Sequence, residues 1–513
     1  MKKLIKCLMI PVFFSVVSCE GNLEPQLFDQ ITPENFLNNE TDMKTAVTGV
    51  YSEFRGATEW GRYKTSWGSL MTLQEIPTDE FASTWNRKQH TDFMWKPTDY
   101  WVTEIFNFFV PAVTKATSLI ERIKDAKIAV ELKNRYIDEL RTVRALWMYD
   151  LFDLYGTVPV VVKREDILNP TNTLNINIKR PTRDWYVSFL ENELKSVIDS
   201  GYLKVDWGVS EYGHVTKGTA MMVLLQLYMH EGGYCRTNNI GNCDDWFRKA
   251  EHTATQIMDL NYYKLQPEFK DIWSPSNQHN KEIIFSLPSF PIPVMGNNAL
   301  AHALPTDYKS RQGIPTTGWG GDRTPWTIYD SFDPSDKRRQ TNLIEYLNTK
   351  DVVVTGRTGE FSQGAIPYKY PENSKTDGTN SASEYVIYRY ADVILLRAEA
   401  KNELYGPSGG GSPTAKDLLN IVRNRAFDNY EGSPQKAIVD NLQMKDEFRD
   451  HLFKERTWEL IWEGKRRSDL IRWGIFISNA QLRGKKVADI HHCLYPIPQQ
   501  TIYDLKIDQN PGY

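Results

Sequence analysis

Four tryptophans of this 513-residue chain lie in segments without helical periodicity, and polar residues stand next to them. An indole ring has a flat apolar face on which the C–H face of a pyranose ring can pack. The hydroxyl rim of the sugar then needs hydrogen-bond donors and acceptors close by. We therefore take as candidate glycan-binding residues Trp85, Trp95, Trp319 and Trp326, together with Asn86, Arg87, Asp322 and Arg323.

Other tryptophans stand in helical patterns, where packing in a core is the simpler interpretation. Trp101 opens a predicted helix that continues through Ile105 and Phe109. The same interpretation applies to Trp147, Trp185, Trp246, Trp458, Trp462 and Trp473.

Catalysis has no clear signature in the chain, which lacks a serine-hydrolase elbow, a zinc-protease helix and a Walker phosphate loop. Glu455, Glu459 and Glu463 recur every four residues, and Arg467 continues the spacing, which favours ion pairs along one helical face. Glycoside hydrolysis instead needs two carboxyl groups on either side of a cleft. We expect structural glutamates, no catalytic residue and no cofactor. A secreted glycosidase with an unrecognised carboxylate pair is the alternative.

Two cysteines, Cys235 and Cys243, bracket a turn-rich segment. In an oxidising compartment they can close a small disulfide loop, but the spacing leaves a bridge and two free thiols equally open. The alternative is a metal site formed by the two cysteines and His230. Because the spacing matches no usual zinc pattern, we expect no metal.

The first residues have the features of an export signal. Lys2, Lys3 and Lys6 precede an apolar stretch over residues 7–17, which as a helix would extend only ~16 Å. A bilayer core is about 30 Å thick, so this stretch predicts a signal peptide over residues 1–18 rather than a membrane span. The residues before Cys19 are typical of a bacterial lipobox, and lipidation of Cys19 would anchor the mature chain.

The charge of the chain excludes some partners. The formal net charge is −4, and removal of residues 1–18, which contain three lysines and no acid, takes it to −7. An acidic chain without a basic stripe offers no electrostatic surface for nucleic acid. We expect no nucleic-acid partner.

Hydrophobic spacing predicts a mainly α protein. One apolar face runs from Tyr136 to Leu154 and ends before Gly156, and Thr216 is a candidate N-cap for a helix that ends at Gly232 and Gly233. Further helices are expected near 42–55, 102–124, 184–199, 244–259, 393–404, 414–426 and 444–473.

The segment 262–380 differs from the rest of the chain. It contains 11 of the 26 prolines, many aromatic residues and no helical periodicity. Such composition favours an ordered excursion of loops and short strands over a disordered linker. Binding residues are often found on loops of this kind.

Several motifs, taken in order, resemble those of the SusD/RagB family of outer-membrane nutrient-binding lipoproteins. The lipobox before Cys19 and a C-terminal segment with two closely spaced prolines belong to the resemblance. The matching segments are 146–159, 214–220, 388–400, 419–426, 455–474 and 494–498. Together they extend over nearly the whole chain.

The resemblance implies an α-α superhelix of tetratricopeptide-type helix pairs with a loop-rich region. We expect residues 19–513 to form a single domain, with a helical scaffold over about 33–260 and 383–513 and the loop-rich insertion over about 262–380. The implied function is to bind an oligo- or polysaccharide at the cell surface and deliver it to a SusC-like TonB-dependent transporter, from an outer membrane in which a lipid anchor holds the protein. Peptide uptake on the same scaffold is the alternative. In this family the glycan site lies partly just before the helix that here begins near Trp101, which favours Trp85 and Trp95.

Overall fold

The computed structural model describes residues 37, 39–55, 70–163 and 179–513. The predicted signal peptide and Cys19 lie outside these residues. Among the described helices, none combines the length and the apolar character needed to cross a membrane.

The first half of the structure is built from helices that pack against their neighbours in the chain. Helix α4 packs against α5, α5 against α6, α6 against α7 and α7 against α8. The helices are α1 (Glu40–Tyr51), α2 (Leu70–Glu75), α3 (Lys88–Thr91), α4 (Tyr100–Asp125), α5 (Val130–Tyr155), α6 (Arg183–Ser200), α7 (Lys217–Asn238) and α8 (Cys243–Asp259).

Local sequence sets the ends of these helices. The side chain of Asp99 accepts a hydrogen bond from the backbone of Trp101 at the start of α4. Thr216 forms the predicted N-cap of α7, in a capping box with Thr219. Gly156, with a φ of 72°, ends α5 as expected.

Helix α7 does not end at Gly232 and Gly233, as the sequence predicted, but continues to Asn238. These glycines instead allow close helix contacts. A Cβ atom on Gly232 would lie 2.8 Å from the ring of Phe247, and one on Gly233 would lie 2.3 Å from the side chain of Arg472. Glycine has no Cβ atom, so the neighbouring side chains can pack closely against the helix. This packing outweighs the modest loss of stability that a glycine causes inside a helix.

Cys235 and Cys243 form a disulfide that crosses the short loop between α7 and α8. Of the two alternatives left by the sequence, the structure has the bridge. No group of three or more histidine, cysteine or acidic side chains suited to a metal ion occurs within the described ranges.

The loop-rich region is tied to the helices at both of its ends. Strand β2 (Ile283–Leu287) pairs antiparallel with β10 (Tyr385–Arg389), and every residue of both strands is buried. The other ribbons have two short strands each. They pair β1 (Ala82–Ser83) with β3 (Asp322–Arg323), β4 (Asn342–Leu343) with β7 (Ile366–Pro367), β5 (Glu345–Leu347) with β6 (Val353–Thr355), and β8 (Thr376–Asp377) with β9 (Asn380–Ser381).

Two short helices also lie in this region, α9 (Ala299–Ala303) and α10 (Trp326–Tyr329). The chain then returns to longer helices, of which α11 packs against α8, α12 and α14. These are α11 (Tyr390–Tyr405), α12 (Ala415–Ala426), α13 (Pro434–Asp440), α14 (Lys445–Leu460), α15 (Arg466–Arg472), α16 (Phe476–Leu482) and α17 (Gln499–Leu505).

The helix predicted over 444–473 is broken after Leu460. Trp462 and Gly464 both have left-handed backbone angles, with φ of 65° and 69°, which a continuous helix does not permit. Glu463 therefore does not share a helical face with Glu459, and the predicted alignment of Glu463 with Arg467 is wrong.

The glutamates nevertheless form a buried network of ion pairs. Arg338 lies 2.7 Å from Glu455 and 2.9 Å from Glu459. Arg389 lies 2.5 Å from Glu459 and 2.8 Å from Glu463. These arginines hold the pKa of Glu455, Glu459 and Glu463 below the usual range, against the opposite effect of burial. The structural interpretation of the glutamates is confirmed, with other arginines in the place of Arg467.

The C-terminal segment is built into the core. The backbone N–H of Tyr495 donates to the carbonyl of Leu154 at 2.7 Å, and its hydroxyl donates to the carbonyl of Leu73 at 2.9 Å. Because Tyr495 is fully buried, this segment fastens α2 to the end of α5.

Candidate functional site

The ribbon of β1 and β3 brings together the two tryptophan-containing loops that the sequence selected. Ser83 is opposite Asp322 in this ribbon, and Ala82 is opposite Arg323. The backbone N–H of Thr84 extends the pairing by donating to the carbonyl of Gly321 at 2.8 Å. Segments more than 230 residues apart in sequence thus become neighbours.

His302 lies between two of the candidate rings. Its imidazole contacts Trp85 edge to face, with ring centroids 5.5 Å apart, and contacts Trp319 in the same manner at 4.8 Å. The side chain is almost fully buried, and this burial lowers the pKa of His302 to about 3. A neutral imidazole therefore supports both indoles, each of which remains half-buried.

Backbone contacts with α9 hold the Trp319 loop. The N–H of Trp319 donates to the carbonyl of Ala301 at 2.7 Å, and that of Gly320 donates to the carbonyl of Leu304 at 2.6 Å. These bonds fix the loop on the helix that also carries His302.

Arg87 packs on aromatic rings at the edge of this group. Its guanidinium carbon lies 5.0 Å from the ring of Trp85 and 5.2 Å from that of Trp101, within the range of cation–π contacts. Burial raises the pKa of Asp322 to about 7, although Arg87 and Arg323 act in the opposite direction. Arg87 and Asp322 are thus electrostatic neighbours below the surface.

A cleft of about 610 Å³ opens beside Trp85, within the size range of small-molecule sites. Its lining comes from the segment 81–92, from Gln363 in the loop-rich region and from the end of α16. Three of the predicted residues line it, Trp85, Asn86 and Arg87. Asn86 is exposed, and its side-chain oxygen accepts a hydrogen bond from the backbone of Lys88 at 3.3 Å.

Trp95 does not belong to this site, so its selection from sequence was wrong. Although it lies in a loop, it is only 3% exposed and packs 4.8 Å from the ring of Tyr495. Its indole N–H donates to the hydroxyl of Tyr513 at 2.7 Å. Because Phe93, His492 and Tyr495 pack around the buried ring, it has no open face for a ligand.

Trp326 has a different setting from the one expected. It begins α10 instead of lying in an open loop, and its indole N–H donates to the carbonyl of Phe361 at 2.8 Å. The guanidinium of Arg357 covers its ring at 4.1 Å. Half-buried Trp326 therefore packs within the loop-rich region and does not line the cleft beside Trp85.

The selection of Arg323 as a ligand-binding residue was also wrong. It has no exposed surface, and it donates to the carbonyls of Ala303 and Glu360 at 2.7 and 2.8 Å and to the carboxylate of Glu360 at 2.8 Å. Asp322 is also buried and does not line the cleft beside Trp85. Both side chains stabilise the ribbon that carries the site.

Sequence reasoning missed several residues of the site. His302 gave no signal, since a lone histidine in a short apolar helix is usually a core residue. The cleft also contains Lys88, Arg483 and Lys485. Arg483 and Lys485 lie almost 400 residues from Trp85, and only the packing of α16 brings them to it.

A model of the SusD family matches residues 281–489 of the chain. The SusD-like protein P25 of Formosa agariphila is 24% identical over 93% of this chain and 91% of its own length. The starch-binding protein SusD of Bacteroides thetaiotaomicron is 23% identical over 100% of this chain and 99% of its own length.

The structure is similar to surface glycan-binding protein A from Bacteroides thetaiotaomicron, solved in complex with laminarihexaose. The TM-score is 0.72 at 20% identity, over 92% of this chain and 99% of the other. At this identity the likeness establishes the fold, and the predicted mainly α architecture of tetratricopeptide-type helix pairs is confirmed.

Proposed function

Because a model of the SusD family matches residues 281–489 and the relatives above are SusD-like, we propose that the chain belongs to this family and binds an oligo- or polysaccharide without turning it over. The observation that carries the proposal is the pairing of Trp85 and Trp319 around buried His302, beside a cleft that Trp85 itself lines. Half-buried indoles on a rigid support are well suited to stack on sugar rings. Starch and laminarihexaose, named for two similar proteins, are ligands of the same chemical class.

The proposal extends to where the protein works. Lipidation at Cys19 would attach it to the outer membrane, with the site facing the exterior. A SusC-like TonB-dependent transporter would then receive the bound glycan. The support is the leader sequence before Cys19 and the match of residues 281–489 to the SusD family model.

Binding is tested first with a panel of polysaccharides in affinity gel electrophoresis, followed by isothermal titration against the polymers that retard the protein. We expect Trp85→Ala and Trp319→Ala each to weaken affinity about tenfold or more, since a stacked aromatic contributes roughly 1 to 3 kcal/mol. Trp185→Ala, a half-exposed position on α6, is the matched control and should bind as the wild type does.

Two results would contradict the proposal. One is a polysaccharide that binds with the same affinity to all three variants, which would mean that the site lies elsewhere. The other is a protein that binds oligopeptides and no glycan, in which case peptide uptake replaces glycan capture.

Anchoring is tested separately by metabolic labelling with a clickable fatty acid. The wild type should take up the label and fractionate with membranes, whereas Cys19→Ala should lose both properties. Label retained by Cys19→Ala would contradict lipidation at this cysteine.

A further inference from the structure

We propose that the cleft beside Trp85 selects glycans that carry anionic groups, either uronate carboxylates or sulfate esters. The inference rests on the glycan-binding function proposed above and narrows its ligand class. It derives from the charges that line the cleft.

The lining is strongly cationic. Its charged side chains come from two distant parts of the sequence and are Arg87, Lys88, Arg483, Lys485 and a single acid, Asp92. Four cations and one anion leave the described lining with three positive charges, while the whole chain has a net charge of −4. The lining of the cleft is therefore positively charged, although the protein as a whole is acidic.

Two of these cations are available to a ligand. Lys88 is exposed and forms no ion pair with any residue in the described part of the chain. Arg483 is partly exposed and donates only to neutral acceptors, the side-chain oxygen of Asn479 at 3.0 Å and the carbonyl of Pro77 at 2.8 Å. Both can therefore interact with an anionic group without first breaking an ion pair.

Lys485 is also partly accessible, at 25% of its side chain, and lies 2.5 Å from the carboxylate of Asp92. An ion pair of this exposure is weak and can exchange partners at little cost. The nearby acid Asp79 is already held by Arg466 at 2.7 and 2.8 Å. Asp79 also acts electrostatically on Arg483, and Asp322 acts on Arg87, so these two acids partly offset the charge of the arginines.

Charge and stacking surface occur together in this cleft. Trp85 can pack on a sugar ring while the cations around it contact substituents of that ring or of its neighbours. Guanidinium groups match the planar oxygens of carboxylates and bind sulfate in the same forked manner. Because salt screens charges beyond about 10 Å at 0.1 M, a bound polymer responds to this local lining more than to the net negative charge.

The experiment compares polymers that differ only in their anionic groups. The pairs are dextran sulfate with dextran, and polygalacturonate with its carboxyl-reduced form. Affinities are measured by isothermal titration at 50 and 300 mM NaCl. We expect at least one anionic member to bind more tightly than its neutral partner, and its affinity to fall at the higher salt concentration.

A double variant links the effect to the cleft. Lys88→Gln with Lys485→Gln should weaken binding of the anionic polymer about 3- to 30-fold, a larger loss than for any neutral glycan. The matched control is Lys195→Gln with Lys264→Gln, two exposed lysines outside the cleft lining that remove the same total charge. The control should bind as the wild type does.

The outcomes separate this inference from the function on which it rests. Equal binding of both members of each pair, or equal losses in the two double variants, would overturn charge selection by the cleft while glycan capture stands. Tight binding of neutral glycans alone would do the same. Absence of binding to any polysaccharide would overturn both. If only dextran sulfate binds more tightly than its neutral partner, sulfate is the recognised group. If only polygalacturonate does so, the carboxylate is the recognised group.

Discussion

A Cβ atom on Gly321 would lie 2.4 Å from the indole of Trp85. Gly321 also has a φ of 125°, a conformation that side chains rarely adopt. The glycine lets strand β3 approach the ring closely enough for the ribbon to position it. A side chain at position 321 would therefore collide with the main candidate binding residue.

We expect Gly321→Ala to displace the Trp85 ring and to weaken glycan binding about as much as Trp85→Ala, roughly tenfold or more. Isothermal titration measures the loss. Gly313→Ala is the control, because Gly313 also has a positive φ but has open space around its Cβ position. Unchanged binding by Gly321→Ala would show that the ring position does not depend on this contact.

Trp147→Ala should destabilise the fold by about 3 to 5 kcal/mol, as expected for the loss of a large buried side chain. Trp147 is fully buried and packs 4.9 Å from the ring of Phe54. Chemical denaturation measures the change, with half-exposed Trp185→Ala as the control that should lose much less. Similar losses in both variants would contradict a special role of Trp147 in the core.

Arg389→Met should be strongly destabilising, by about 3 to 5 kcal/mol, because it leaves buried carboxylates without their cation. Arg389 lies 2.9 Å from Glu282, 2.5 Å from Glu459 and 2.8 Å from Glu463. Urea unfolding tests this, and exposed Arg248→Met, whose ion pairs are on the surface of α8, should change stability by less than about 1 kcal/mol. A mild effect at Arg389 would mean that the network tolerates the loss of one cation.

Asp322→Asn should change how stability depends on pH. Burial raises the pKa of Asp322 to about 7 from its ordinary value of 3.8, so between these pH values the folded chain keeps a proton that the unfolded chain releases. This difference lowers the free energy of unfolding of the wild type as pH rises from about 4 to beyond 7. The variant lacks this titrating carboxyl group, so its free energy of unfolding should rise relative to that of the wild type from pH 5 to pH 8.

Urea unfolding at pH 5, 6, 7 and 8 measures this gain. Asp245→Asn, an exposed acid at the start of α8, serves as the control and should show no such trend. A constant difference between Asp322→Asn and the wild type over this range would mean that the buried carboxyl does not take up the proton.

Local sequence was sufficient to predict much of the helical scaffold. Thr216 and Gly156 mark helix ends because caps depend on residues within one turn of the helix. The apolar face from Tyr136 to Leu154 likewise predicts α5, since one side of a helix repeats every three or four residues. The glutamates near the C-terminus were also assigned to ion pairs from their spacing, but their partners Arg338 and Arg389 come from distant segments.

Tertiary structure decided which of the loop tryptophans are accessible. Trp85 and Trp95 both stand in short irregular segments with polar neighbours, yet Trp85 lines a cleft while Trp95 is enclosed by Tyr495 and Tyr513. The enclosing residues are some 400 positions away, so no local pattern contains the information.

The remaining features of the site have the same origin. His302 joins Trp85 to Trp319 only because β1 pairs with β3. Arg483 lines the same cleft as Trp85 because α16 packs beside the segment that follows β1. The sequence by itself determined most of the helices, several of their ends and the residue types suited to a sugar. Long-range packing determined which of those residues meet, because burial and charge in a cleft depend on neighbours that the chain brings together only when it folds.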